Sequence, residues 1–247
     1  MGVINETGHA MNVANFFKLT TYCQGYGLKY NPANPNLQIT NLLMLGDNAK
    51  SLSGIVNELL APRDAARTER ALAFKPLSPL ATRLLNAIKA STTDSKVDDN
   101  IKTYVRKIKG ERASEKIEVA KVAGVASTDD ANHQSSSQLD FNNRLNFLDI
   151  LIKQLAFIPQ YAPNEPELQV ASLQALYNDL SAKNTVAVEA EVKIENARIA
   201  RDKVMYAPLT GLVDVALDTK TYVKSVFGPT SAEYKQISGL KFSPNKK

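Results

Sequence analysis

The chain has 247 residues, 44% apolar and 22% charged, with 11 glycines and 11 prolines. That is enough to bury a sizeable core in one large domain or two small ones, and it excludes a disordered or fibrous chain. The net charge of +5 is mild, and its excess lies early: residues 1–110 carry 14 Lys and Arg against 8 Asp and Glu, whereas 138–247 carry 13 against 12.

The first helical pattern runs from about Ala10 to Tyr26 and ends at Gly25 and Gly27, because glycine commonly closes a helix. Tyr30, Pro32, Pro35, Leu37 and Gln38 follow. Each proline removes an N–H and disfavours helical geometry in the residue before it, so this stretch is a connection. Asn34 suits the N-cap and Pro35 the first position of a new helix. The long pattern from about 36 to 75 carries a seam of Leu42, Leu45, Ala49, Leu52, Val56, Leu59, Arg63, Ala66, Arg70 and Ala73, a 3–4 spacing that turns one stripe toward a partner helix. Pro62 predicts a kink within it. Beyond Pro76 a third helix covers about 77–91, and a short one covers 98–110. Residues 111–138 read as a polar linker.

The pattern then recurs. Tyr161-Ala162-Pro163-Asn164-Glu165-Pro166-Glu167-Leu168-Gln169 repeats Tyr-x-Pro-x-x-Pro-x-Leu-Gln 131 residues after Tyr30, and 13 of the 59 positions from 15 to 73 are identical at that offset. Asn15-Phe16 thereby pairs with Asn146-Phe147. One inserted residue then pairs Pro76-Leu77 with Pro208-Leu209. A second long helix is predicted over about 167–207, with Leu173, Leu176, Leu180, Lys183, Ala187, Ala190, Ile194, Ala197, Arg201 and Val204 on its seam. Helices over 209–226 and 230–240 follow, the latter with Thr230 and Glu233 at capping-box spacing. Such fixed-period similarity marks an internal duplication. The expected fold is all-α: an elongated helical bundle of two copies of a three-helix unit with a long central helix, at 8–110 and 139–240.

Catalytic and cofactor signatures are missing from the sequence. His9 and His133 have no metal-ligand spacing, and His9 reads as part of a frayed terminus. Cys23 has no His or Lys one helical turn away and reads as a packed thiol. As the single cysteine it excludes an internal disulfide framework and fits a reducing compartment. No phosphate-binding glycine loop or nucleophile elbow occurs. No catalytic, cofactor or metal residue is therefore assigned.

The polar positions shared by the two copies are the remaining lead. Arg67 and Arg70 share a helix face, as do Arg198 and Arg201. They read either as an anion or partner-carboxylate site in each copy, or as structural arginines held by a neighbouring acid or carbonyl. Lys102, Arg106, Lys107, Lys109 and Arg112 form the densest basic patch. It reads as a solvated helix face, with nucleic-acid binding the alternative. Leu145–Ile158 is the most apolar stretch. Its 14 residues include Asp149 and Lys153, which makes it a core helix, with membrane insertion the alternative. Met1–Thr7 offers no signal-peptide pattern and no transmembrane run is visible, so the expectation is a cytoplasmic protein.

Three stretches resemble a family of small duplicated helical proteins from Bacteroidetes bacteria: Gly8-His9-Ala10-Met11-Asn12-Val13-Ala14-Asn15-Phe16, then Tyr161 to Gln169, then Tyr206-Ala207-Pro208-Leu209-Thr210-Gly211-Leu212-Val213-Asp214. The resemblance implies a duplicated all-helical fold and carries over no activity and no site residues. The functional expectation is a non-enzymatic structural or interaction protein without cofactors, taking a protein partner or a second copy of itself.

Overall fold

The computed structural model describes residues 6–91, 93–111 and 140–244. The linker lies outside them apart from Glu111, as do Arg112 and His133. The described residues are all-helical, without a strand: α1 (Glu6–Gly25), α2 (Ile39–Phe74), α3 (Leu77–Lys89), α4 (Ser95–Lys109), α5 (Phe141–Ala156), α6 (Val170–Tyr206), α7 (Leu212–Phe227) and α8 (Ala232–Ser238).

Local chemistry sets the helix ends. A 3-10 turn, Pro35–Leu37, precedes α2, and the Asn34 side chain accepts from the Asn36 N–H at 3.0 Å. The matching turn before α6, Pro166–Leu168, begins at Glu165, whose side chain makes no cap bond. These turns delay both long helices by about three residues from their expected starts. α2 continues through Pro62. α4 starts at Ser95 because Asp94 caps it, accepting from the Lys96 N–H at 2.8 Å, and Gly110 closes it at φ 74°, a left-handed angle that suits glycine. α8 is capped by Ser231, whose hydroxyl accepts from the Tyr234 N–H at 3.1 Å. Thr230, the expected cap, lies one residue too early.

The chain divides into two compact units, Met1–Arg63 with Ala190–Lys247, and Asp64–Glu189. The first contains α1, the start of α2, the end of α6, α7 and α8. Its core joins Phe16, Leu19 and Cys23 of α1 to Leu42 of α2, Met205 of α6 and Val223 of α7. The C-terminal segment is tied to α1: Asn12 exchanges two bonds with the Ser243 backbone, both 2.9 Å, and Asn15 donates to the Lys241 carbonyl at 2.8 Å. The second unit contains the end of α2, α3, α4, α5 and the start of α6. Its core joins Phe74, Leu84, Ile101, Ile108, Leu148 and Leu180. The apolar segment Leu145–Ile158 belongs here, with Leu145, Leu148, Leu151, Ile152 and Leu155 buried. Among the described residues no helix is long and apolar enough to cross a membrane.

The α6 seam is buried at every second seam residue, a seven-residue recurrence, and the α2 seam follows it as far as Val56, beyond which Ala66 is buried and Arg63 and Arg70 are half-buried. In the first unit the seams supply Leu42, Ala49 and Val56 from α2 and Ile194 and Arg201 from α6; in the second, Leu173, Leu180 and Ala187 from α6. Burial follows a different register in the flanking helices. Val13, Phe16, Leu19, Thr20 and Cys23 of α1 have the same spacing as Leu145, Leu148, Leu151, Ile152 and Leu155 of α5. Phe16 and Leu148 hold the same place in this spacing and are both fully buried, whereas Phe147 is only half-buried. Likewise Leu77, Ala81, Leu84 and Ile88 of α3 share the spacing of Leu212, Ala216, Thr219 and Val223 of α7. Leu77 and Leu209, which sequence identity pairs, differ in burial: Leu77 is buried, whereas Leu209 is 76% exposed at φ 65°. The turn before α7 is three residues longer. It closes on Gly211, where a Cβ would lie 2.5 Å from the Ala207 nitrogen, so only glycine fits.

The two Tyr-x-Pro-x-x-Pro stretches are closed in the same way. The Tyr30 hydroxyl donates to the Leu37 carbonyl at 2.7 Å, and the Tyr161 hydroxyl to the Leu168 carbonyl at 2.6 Å. The tyrosines are expected from sequence to stack on their prolines; what the structure shows them doing is closing a seven-residue loop across its ends.

Candidate functional site

The four arginines lie in four different settings. Arg201 is 1% exposed, and its Nε and Nη2 donate to Asp202 Oδ1 at 3.0 and 2.9 Å. The Arg198 side chain is 11% exposed and donates from Nη1 to Glu195 Oε1 at 3.0 Å, one turn earlier. Arg70 is half-buried, and its Nη1 donates to Asn184 Oδ1 at 3.2 Å. Arg67 is exposed. Arg67 and Arg198 both lie off the seams, yet Arg67 is exposed whereas Arg198 is mostly covered.

Around Arg70 the second unit builds a cluster that sequence reading missed. The Arg70 guanidinium stands 4.1 Å from the Phe141 ring centroid, and Phe141 meets Phe74 edge to face at 4.9 Å. The Arg144 guanidinium lies 5.5 Å from the Phe74 ring, so two cations flank two rings, each attracted by the ring quadrupole. Arg144 also donates to the carbonyls of Ile108 (3.2 Å) and Phe74 (3.3 Å) and to Ser78 Oγ (3.3 Å). Burial lowers its pKa from the usual guanidinium value. Asn184 joins the cluster by donating to Asn142 Oδ1 at 2.7 Å. The residues come from α2, α3, α4, α5 and α6, so no single stretch of sequence displays them. The partners seen for the two guanidinium groups are an amide, carbonyls, a hydroxyl and two rings.

The basic helix α4 is partly engaged. Lys107 Nζ lies 4.9 Å from the Phe147 ring centroid, and Lys109 pairs with Glu111 at 2.6 Å. Lys102 is exposed and Arg106 half-buried. Arg106, Lys107 and Lys109 occupy the last turn, where cations complement the helix dipole.

His9 is placed in α1 and not in a frayed end: its Nδ1 lies 2.8 Å from the Tyr206 hydroxyl. Cys23 is buried. Burial pushes its thiol up to about 12 from 9.0, and pushes the Tyr26 and Tyr161 phenols up to about 12 from 10.0. The Tyr30 phenol is also raised, first by burial. The folded state therefore holds protons that the unfolded state loses first. These groups favour folding below pH 9, and that stability is lost as the pH rises toward 12. The unfolding free energy is expected to stay level up to about pH 9 and to fall between about pH 10 and 12. Denaturant titrations across this range check it. Cys23 should stay unlabelled by thiol reagents at pH 8 until the chain unfolds, and rapid native-state labelling would contradict its placement.

Among the described residues no group of three or more His, Cys, Asp or Glu is arranged to hold a metal ion. No family model, no curated protein and no solved structure matches the chain.

Proposed function

We propose that the chain is a non-enzymatic structural or protein-interaction bundle, built from two copies of a helical repeat, that binds a protein partner or a second copy of itself. We further propose that it belongs to the Bacteroidetes family it resembles and acts in the cytoplasm. Support for the duplication comes from the paired Tyr30–Leu37 and Tyr161–Leu168 bonds and from the shared burial spacing of α1 with α5 and of α3 with α7. On this reading each compact unit combines the first helix of one copy with the third helix of the other.

The observation that carries the interaction reading is on α6. Val192 and Ile199, seven residues apart in the first unit, are 52% and 66% exposed. Single exposed aliphatic residues are ordinary, but these repeat at the same seven-residue period as the buried Ile194 and Arg201 and so share one side of the helix. Replacing both with lysine tests the reading. Wild-type protein should self-associate in sedimentation or retain a specific protein from its native extract, and the Val192→Lys, Ile199→Lys variant should do neither while keeping its helical spectrum. A wild-type monomer that retains nothing, or a turnover activity abolished by one substitution, would overturn the proposal.

A further inference from the structure

In the first unit α8 ends at Ser238, and the residues from Leu240 to Pro244 carry no regular structure. Their burial alternates. Leu240 and Phe242 are half-buried and pack against the core of the unit, whereas Lys241 and Ser243 are exposed. That is the two-residue alternation of an extended chain laid on a surface.

Side chains of α1 and α7 hold this strap by its main chain. Asn12 Nδ2 donates to the Ser243 carbonyl and Asn12 Oδ1 accepts from the Ser243 N–H, both at 2.9 Å. Asn15 Nδ2 donates to the Lys241 carbonyl at 2.8 Å. From α7, Lys220 Nζ donates to the Ser238 and Leu240 carbonyls, both at 2.9 Å. Asn12 and Asn15 are three apart and share a face of α1; they address strap residues two apart, in reverse order. Asparagine is a weak helix former, and Asn12 is 1% exposed. A buried amide is costly unless its donor and acceptor are both engaged, and here both engage the main chain of one residue. Contacts of this kind recognise an extended backbone whatever its sequence. In peptide recognition such bonds supply affinity, and alternate side chains supply specificity. Leu240 and Phe242 are those alternate side chains here.

The strap also belongs to the kind of element that opens locally. Its two anchoring side chains are only half-buried. The helix before it has seven residues, of which Ile237 is buried. Gly228, at φ 90°, and Gly239 flank that helix. We propose that the track between α1 and α7 is a binding site for an extended segment of a partner protein, with an aliphatic and an aromatic side chain two residues apart, and that the chain's own residues 240–243 cover it until that segment displaces them. The strap itself shows what fits: a backbone for the two asparagines and Lys220, and two apolar side chains for the core. The site goes beyond the reading above, because it uses neither Val192 nor Ile199, and the two surfaces stand or fall separately.

Fluorescence polarisation with a labelled synthetic peptide of residues 238–244, Ser-Gly-Leu-Lys-Phe-Ser-Pro, is the test. The acceptor is the full chain carrying Leu240→Asp and Phe242→Asp, which removes the apolar anchors of its own strap. This variant should keep its helical spectrum and bind the peptide saturably. The wild-type chain should bind it at least about tenfold more weakly, because its tethered strap competes at high effective concentration. N-methylation of the peptide nitrogen that stands for Ser243 removes the donor that Asn12 accepts, and should weaken binding at least about tenfold. Lys241→Ala in the peptide should leave binding unchanged. A variant that loses its helical spectrum would show the strap to be an inseparable part of the core and would overturn the proposal. So would a folded variant without saturable binding, equal binding by variant and wild type, an N-methylated peptide that binds as well as its parent, or a loss on Lys241→Ala as large as that on N-methylation.

Discussion

Arg201→Ala should cost ~3 kcal/mol of unfolding free energy, at the lower end of the ~3–5 kcal/mol seen when a buried charge pair loses one partner. Its guanidinium is 1% exposed and makes two bonds to Asp202 Oδ1, so truncation removes both the pair and the packing of a long buried stem. The lower end applies because the Asp202 side chain is 34% exposed and water can solvate the carboxylate left behind. Arg70→Ala should cost less, ~1–2 kcal/mol. Its interactions include a hydrogen bond to Asn184 and a contact with the Phe141 ring, each with a neutral partner and worth about 1 kcal/mol. Arg67→Ala should stay within about 0.5 kcal/mol of wild type, as surface substitutions do. Urea denaturation of the three variants at matched ionic strength gives the order. An Arg201→Ala midpoint equal to that of wild type would place the guanidinium in solvent, contrary to the structure. The sequence treats Arg70 and Arg201 as equivalent because both fall on a seam at the same offset. They differ because their neighbours differ: an adjacent acid beside Arg201, and an amide and a ring beside Arg70.

Much of the helical layout can be read from the chain because two strong signals agree. Prolines at 35, 76, 163, 166 and 208 lie in the connections between helices for steric reasons, Pro62 is carried inside α2, and the 3–4 spacing on α2 and α6 follows helix geometry. Leu42, Ala49, Leu173, Leu180 and Ile194 are buried accordingly. The register of the shorter helices is harder to read. Matching identical residues favours Asn15-Phe16 over Asn146-Phe147, but burial depends on where a side chain points. The connection from Cys23 to Tyr30 is one residue longer than that from Leu155 to Tyr161, which shifts α1 against α5 by one position. Such a shift turns a helix by about 100°, enough to take Phe147 off the core face. The Arg70, Phe141, Phe74 and Arg144 cluster was illegible for another reason. Its members are brought together by tertiary packing alone, and arginine and phenylalanine each have commoner roles elsewhere.

The register before α7 has the clearest consequence for stability. If identity alone governs, Leu209 takes the place of the buried Leu77; if burial spacing governs, Leu212 does. Leu212 is fully buried in the first unit's core, so Leu212→Ala should cost ~2–5 kcal/mol through lost transfer energy and a residual cavity. Leu209 is 76% exposed, and Leu209→Ala should change stability by less than about 0.5 kcal/mol. Thermal or urea unfolding of the two variants decides between them, and a larger loss at Leu209 would refute the register. The physical basis is the extra length of the turn. Leu209 lies at φ 65°, and its N–H donates to Asp214 Oδ2 at 2.9 Å, which ties the turn to the first turn of α7. The Gly211 N–H then donates to the Ala207 carbonyl at 2.7 Å, which closes the longer turn. Leu212, Ala216, Thr219 and Val223 consequently reach the core with the spacing that Leu77, Ala81, Leu84 and Ile88 have in theirs.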